Sequence, residues 1–149
     1  MRDIIWWRGG HTFHRNLYHI VFVPKYRRKV LHRKLAQRLS LLWYECCRMN
    51  RWYIHELQIL PDHVHMLIQI PPKVSIATAI QYIKGGSSKV IRKEFPELQE
   101  FLWGDSLWQD GYFSETVGRA NETIMRDYIR KQWEEESKRN KPRPLGRGD

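Results

Sequence analysis

Cysteine is scarce in this chain: the two present, Cys46 and Cys47, are adjacent. Neighbouring cysteines close a disulfide only with strain, which argues against a disulfide-stapled secreted fold. Both read as reduced residues packing within a helix of a cytoplasmic protein. Apolar runs of membrane-span length are missing, and the N-terminus lacks a signal-peptide core. The expectation is a soluble intracellular protein, with no membrane partner. Acids are also few. Sixteen Asp and Glu face 26 Lys and Arg, which leaves a formal charge of +10 and a pI near 9.9. Such an excess either serves solubility or meets an anionic partner. Seven Trp and seven Tyr interleave with the basic residues, which favours nucleic acid with accessible bases over an anionic membrane. Internal repeats and linkers are absent as well. One domain with a modest core follows, and dimerisation would bury more surface.

Taken in order, residues 1–15 read as an irregular arm, residues 16–138 as the domain and residues 139–149 as a disordered basic tail. Residues 16–23 form a first strand that is apolar on both faces, hence central or at an interface, and stops at Pro24. Lys25, Tyr26, Arg27, Arg28 and Lys29 follow without an acid among them, as a phosphate-contacting turn or a solvated face. In residues 32–50, Leu35, Leu39, Leu42, Cys46 and Met49 recur at helical spacing, with Trp43 widening the stripe. Residues 51–60 form a second strand, and Pro61-Asp62 turns the chain into a third. Ser75 caps a helix through Ile76, Ala79, Ile80 and Ile83 that Gly85-Gly86 should break, with Ser87 or Ser88 capping a short helix beyond. Lys84, Lys89, Arg92 and Lys93 surround that break, as a phosphate site or a plain corner. A last strand over 111–116, a boundary at Gly118 and a terminal helix over 121–138 capped near Asn121 complete the order β-α-β-β-α-(α)-β-α. That order predicts an α+β, ferredoxin-like split βαβ sandwich, with an antiparallel sheet, helices on one face and an additional C-terminal helix.

The third strand carries the chemistry. Alternation places Val64, Met66, Ile68 and Ile70 on one face and His63, His65, Leu67 and Gln69 on the other. An isolated His-x-His is more often a pair of satisfied histidines than a metal site. Tyr128 and Gln132 stand one turn apart on the terminal helix. That spacing permits one residue to hold a metal while the other offers a phenolic oxygen, although Tyr128 alone would read as packing. Two imidazoles and an amide oxygen suit Mg²⁺ or Mn²⁺ with open positions for phosphate oxygens. A cation on a phosphodiester polarises phosphorus and favours phenolate nearby.

Five stretches together resemble a known family. They are residues 18–28 (YHIVFVPKYRR), Pro61-Asp62-His63-Val64-His65, residues 82–88 (YIKGGSS), Leu107-Trp108 to Gly111-Tyr112-Phe113, and Tyr128 with Gln132. The chain resembles the single-tyrosine HUH transposases of the IS200 type. The resemblance implies Tyr128 as nucleophile, forming a 5′-phosphotyrosine, and His63, His65 and Gln132 as ligands of Mg²⁺ or Mn²⁺. Asp62 is implied at most as an outer partner. It implies a homodimer whose sheets join through the first strand, single-stranded DNA hairpins as substrate, and a hinge near Gly118 that lets the terminal helix reach a partner. Lys25, Arg27, Arg28, Lys84, Lys89 and Arg92 are the candidate DNA contacts. Two other readings stay open. One is a host-adapted relative that processes repeated hairpins, and the other a non-catalytic module binding single-stranded DNA or RNA.

Overall fold

The computed structural model describes residues 7–9, 12–14, 16–102 and 106–139. The chain opens with a short antiparallel hairpin, β1 (Trp7–Gly9) on β2 (Thr12–His14), so part of the expected irregular arm has regular pairing. The rest of the arm and residues 140–149 of the tail lie outside the described residues. There follow β3 (Asn16–Phe22), α1 (Arg33–Asn50), β4 (Tyr53–Leu60), β5 (His63–Ile70), α2 (Ile76–Glu94), α3 (Gln99–Leu102), β6 (Phe113–Thr116), α4 (Glu122–Arg130) and α5 (Gln132–Arg139). The expected terminal helix is thus two helices joined at Lys131, and Asn121 makes no side-chain cap.

Strands β3 to β6 form one antiparallel sheet in the order β4-β5-β3-β6, the ferredoxin-like arrangement. β4 turns into β5 with Leu60 opposite His63, leaving Pro61-Asp62 as a two-residue connection. β3 pairs with β5 on one side and β6 on the other. It is central, as its two-sided apolarity predicts, but it cannot join a partner's sheet because both its hydrogen-bonding edges are in use. The open edges of this sheet belong to β4 and β6.

Ile20 and Phe22 of β3 and Val64, Met66, Ile68 and Ile70 of β5 share one core with α1 and α2. Trp43 is its hub. The indole meets Phe22 edge-on at 5.5 Å and Trp108 at 5.9 Å, and its Nε1 donates to the Ile83 carbonyl at 3.0 Å. That anchoring rotates α1 away from the expected stripe. Leu35, Leu39, Trp43 and Cys47 are buried, Leu42 and Cys46 are half-buried, and Met49 is 71% exposed. Burial, then the neighbouring Cys46, pushes the Cys47 thiol up to about 12, so it packs rather than reacts.

Gly85-Gly86 does not break α2, which is continuous from Ile76 to Glu94. Ser87 Oγ donates to the carbonyls of Ile83 at 2.7 Å and Lys84 at 3.1 Å and accepts from Trp108 Nε1 at 3.3 Å. Side chains from α1 and the loop before β6 thus clamp the weak turn. A Cβ at Gly85 or Gly86 would meet nothing within 4 Å. Gly85→Ala should therefore stabilise the fold by roughly 0.8–1 kcal/mol, raising the melting temperature by about 2–4 °C. A fall in calorimetric melting temperature would show that the helix needs glycine there.

Candidate active site

The opposite face of the sheet is roofed by α4. Leu67 of β5, Leu17 of β3, Val117 and Ile129 form a second, small core, with Met125 packed against it. This cluster holds the helix over the strands that present the histidines. Polar contacts reinforce it. Arg126 donates to Glu122 at 3.0 Å and to His55 Nδ1 at 3.2 Å, and His55 Nε2 donates to Gln69 Oε1 at 2.8 Å. His55 is the extra residue of a β4 bulge between Ile54 and Glu56. Arg130 pairs with Glu56 at 2.6 Å.

His63 and His65 are both buried, at 7% and 6% exposure, and each has its Nδ1 anchored. His63 Nδ1 donates to Asp62 Oδ1 at 2.7 Å. His65 Nδ1 lies 3.0 Å from His19 Nε2, and His19 Nδ1 lies 3.0 Å from Glu115 Oε1. A carboxylate only accepts, so His19 carries its proton on Nδ1, accepts on Nε2, and leaves His65 Nδ1 as the donor. Both strand histidines thereby keep an Nε2 lone pair that bonds nothing among the described residues. Burial first, then the neighbouring His19 and His63, pushes His65 down to about 4, so its imidazole is neutral at physiological pH. Burial alone would raise the Asp62 carboxyl, but His63 and Arg27 outweigh it and hold it below the usual range.

Tyr128 stands on α4 above the same residues. Its ring is 5.9 Å from that of His65 and 6.0 Å from that of His19, nearly perpendicular to each, and it is 47% exposed. The tyrosine and the histidines meet within one chain. Gln132, one turn further, is buried at the start of α5. Its amide nitrogen lies 3.5 Å from the Tyr128 carbonyl, and its Oε1 bonds nothing among the described residues. No group of three His, Cys, Asp or Glu able to hold a metal occurs among the described residues. The two imidazole nitrogens and the amide oxygen singled out in the sequence are donors whose chemistry a divalent cation of intermediate hardness accepts. Gly118 precedes α4 with φ −75° and ψ 162°, and a Cβ there would meet nothing. Its backbone makes no demand for glycine.

The candidate cations divide. Arg27 Nε donates to Asp62 Oδ2 at 3.2 Å, so the turn after β3 reaches the residue that anchors His63. Tyr26 and Arg27 hold that turn at φ of 60° and 50°, a left-handed conformation costly for both side chains. Lys25 lies 5.9 Å from the Tyr26 ring, and Arg28 is exposed. Lys84 Nζ instead donates to the carbonyls of Gln109 at 2.7 Å and Gly111 at 2.9 Å, latching the loop before β6. Burial lowers its ammonium against the opposing charge of Asp110. Lys89 and Arg92 ride on α2, in the helix layer across the sheet from His63 and His65. Sequence reasoning gave His19 no role and missed Glu115, His55 and Arg126. For His19 the available signal was a lone imidazole in an apolar strand, in phase with Leu17 and Val21.

Residues 12–132 match the family described as "Transposase IS200 like". The chain is 36% identical over 127 residues to the transposase for insertion sequence element IS200 of Salmonella typhimurium, covering 85% of this chain and 83% of that one. It is 30% identical over 119 residues to the ISDra2 transposase TnpA of Deinococcus radiodurans, covering 80% and 85% of the two chains. A Deinococcus radiodurans crystal structure assigned as a transposase superimposes with a TM-score of 0.69 at 28% identity, covering 84% of this chain and 96% of that one. A REP-associated tyrosine transposase bound to a REP hairpin shares the fold, with a TM-score of 0.57 at 15% identity over 87% and 73% of the chains. The chain belongs to the IS200-like transposase family, and is a DNA-cleaving and strand-transferring enzyme.

Proposed function

We propose that this transposase cuts and rejoins single-stranded DNA at hairpin-bearing ends of its element, with Tyr128 as nucleophile. The observation that carries the reading is the placement of the Tyr128 ring against His19 and His65, beside two buried imidazoles with unengaged Nε2 atoms. The Tyr128 phenolic oxygen attacks the scissile phosphorus. The bond from phosphorus to the 3′ oxygen breaks, the phenol loses its proton, and the departing 3′ oxygen gains one. The tyrosine then holds the 5′ phosphate as an aryl ester, and a 3′-hydroxyl can reverse the exchange without another energy source. His63, His65 and Gln132 would hold Mg²⁺ or Mn²⁺, which when bound supplies Lewis-acid polarisation of the phosphate. The relative of the same fold that holds a REP hairpin supports hairpin DNA as the substrate. The homodimer that the resemblance implies would join through the open edge of β6.

Single-stranded oligonucleotides from both strands flanking the gene, incubated with Mg²⁺ or Mn²⁺ and run on a denaturing gel, test this reading. It expects a metal-dependent covalent adduct on one strand. Binding without adduct on either strand would move the assignment to a non-catalytic module.

In the same reading, Glu115 and His19 position His65. His19→Ala should lower Mn²⁺ affinity roughly 10- to 100-fold in an electron paramagnetic resonance titration, with Glu115→Gln a milder loss. Unchanged Mn²⁺ affinity in both variants would remove the relay from the site.

A further inference from the structure

A groove of about 800 Å³ opens at the edge of the sheet, bounded by the start of α1, the end of β4 and α5. Leu57 lines it, Tyr44 and Trp133 border it, Gln37 offers an amide, and Lys29 and Arg33 contribute cations. No carboxylate lines the groove, and neither Lys29 nor Arg33 makes an ion pair among the described residues. Trp133 is 50% exposed, and its indole makes no hydrogen bond or ring contact among the described residues. An apolar aromatic this exposed contributes little to the core. The groove also adjoins the site described above. Trp133 directly follows Gln132 on α5, and Pro61, which lines the groove, directly precedes Asp62 and His63.

We propose that this groove is a subsite for an unpaired nucleotide next to the cleaved position, its base stacked on Trp133 and its backbone phosphates met by Lys29 and Arg33. The inference rests on single-stranded DNA as substrate and adds where a flanking nucleotide lies. The lining favours a nucleotide over a peptide strand: aromatic faces accept any base, the amide reads an edge, and the cations have no counter-ion among the described residues.

The test uses fluorescein-labelled single-stranded oligonucleotides from the flanking DNA, with one abasic position walked along each, in a Tyr128→Phe background that keeps binding reversible. Trp133→Ala should weaken binding of the intact oligonucleotide roughly 5- to 150-fold, and Trp133→Phe should restore most of it. At one abasic position the wild-type Trp133 protein should lose that same factor while Trp133→Ala loses nothing more. Lys29→Gln and Arg33→Gln should each reduce the salt slope by about 0.7. Thermal melting of Trp133→Ala should match its parent, since the side chain is half exposed. Equal binding by Trp133→Ala, or an abasic penalty unchanged by it, overturns the subsite. If the protein with Tyr128 intact still forms its adduct in that case, the functional reading stands and this inference alone falls. If no oligonucleotide binds at all, both fall together.

Discussion

Tyr128→Phe should abolish the covalent protein–DNA adduct completely while leaving oligonucleotide affinity within a factor of a few. The substitution removes one oxygen and keeps the ring that packs beside His19 and His65 at about 6 Å. That contact is edge-on and the residue is 47% exposed, so neither the fold nor the α4 seat depends on the hydroxyl. α4 is held instead by Ile129 in the small core, by Arg126 on His55 and by Arg130 on Glu56. A phenyl ring cannot form a phosphoester, so the loss is one of chemistry and shows as an absent band rather than a slower one. Residual adduct in Tyr128→Phe would place the nucleophile elsewhere, and lost DNA binding would assign the hydroxyl a binding role.

His65→Ala should lower Mn²⁺ affinity by at least about 100-fold and cleavage by about 10³-fold, beyond the loss expected for His19→Ala. The larger effect follows from position. His19 turns outward to Glu115 and inward to His65 Nδ1, whereas His65 offers its Nε2 directly. His63→Ala should behave like His65→Ala, since Asp62 anchors it in the same way. The check pairs a Mn²⁺ titration with gel-resolved cleavage of a flanking oligonucleotide. Wild-type metal affinity in His65→Ala, with cleavage lost, would assign His65 to contact with DNA rather than metal.

The histidine strand was legible because its alternation is strict. Val64, Met66, Ile68 and Ile70 fill the main core, so His63 and His65 must share the other face. The split βαβ order was legible for the same reason, each element being bounded by turn residues or a change of period. Gly85-Gly86 misled because local propensity charges about 1 kcal/mol for each glycine, and the compensation comes from residues far along the chain. Trp43 and Ser87 both donate to the Ile83 carbonyl, and burial of Ile83 and Ile91 holds the helix on either side. Met49 misled because it continues the period of Leu35 and Leu39, while Trp43 tips α1 so that Cys47 faces inward. The relay of Glu115, His19 and His65 could not be read from spacing. Glu115 stands 96 positions from His19 in the chain, and only the β3–β6 register sets them opposite.

The central claim is that Tyr128 takes the phosphate. Its most direct test is peptide mass mapping of the adduct formed with Mn²⁺ and a flanking single-stranded oligonucleotide, after nuclease trimming and tryptic digestion. Cleavage after Arg126 and Arg130 isolates residues 127–130, with Tyr128 as the sole hydroxyl-bearing side chain. This peptide should carry the nucleotide through a 5′ phosphate. Nucleotide on any other peptide, or linked through a 3′ phosphate, would contradict it.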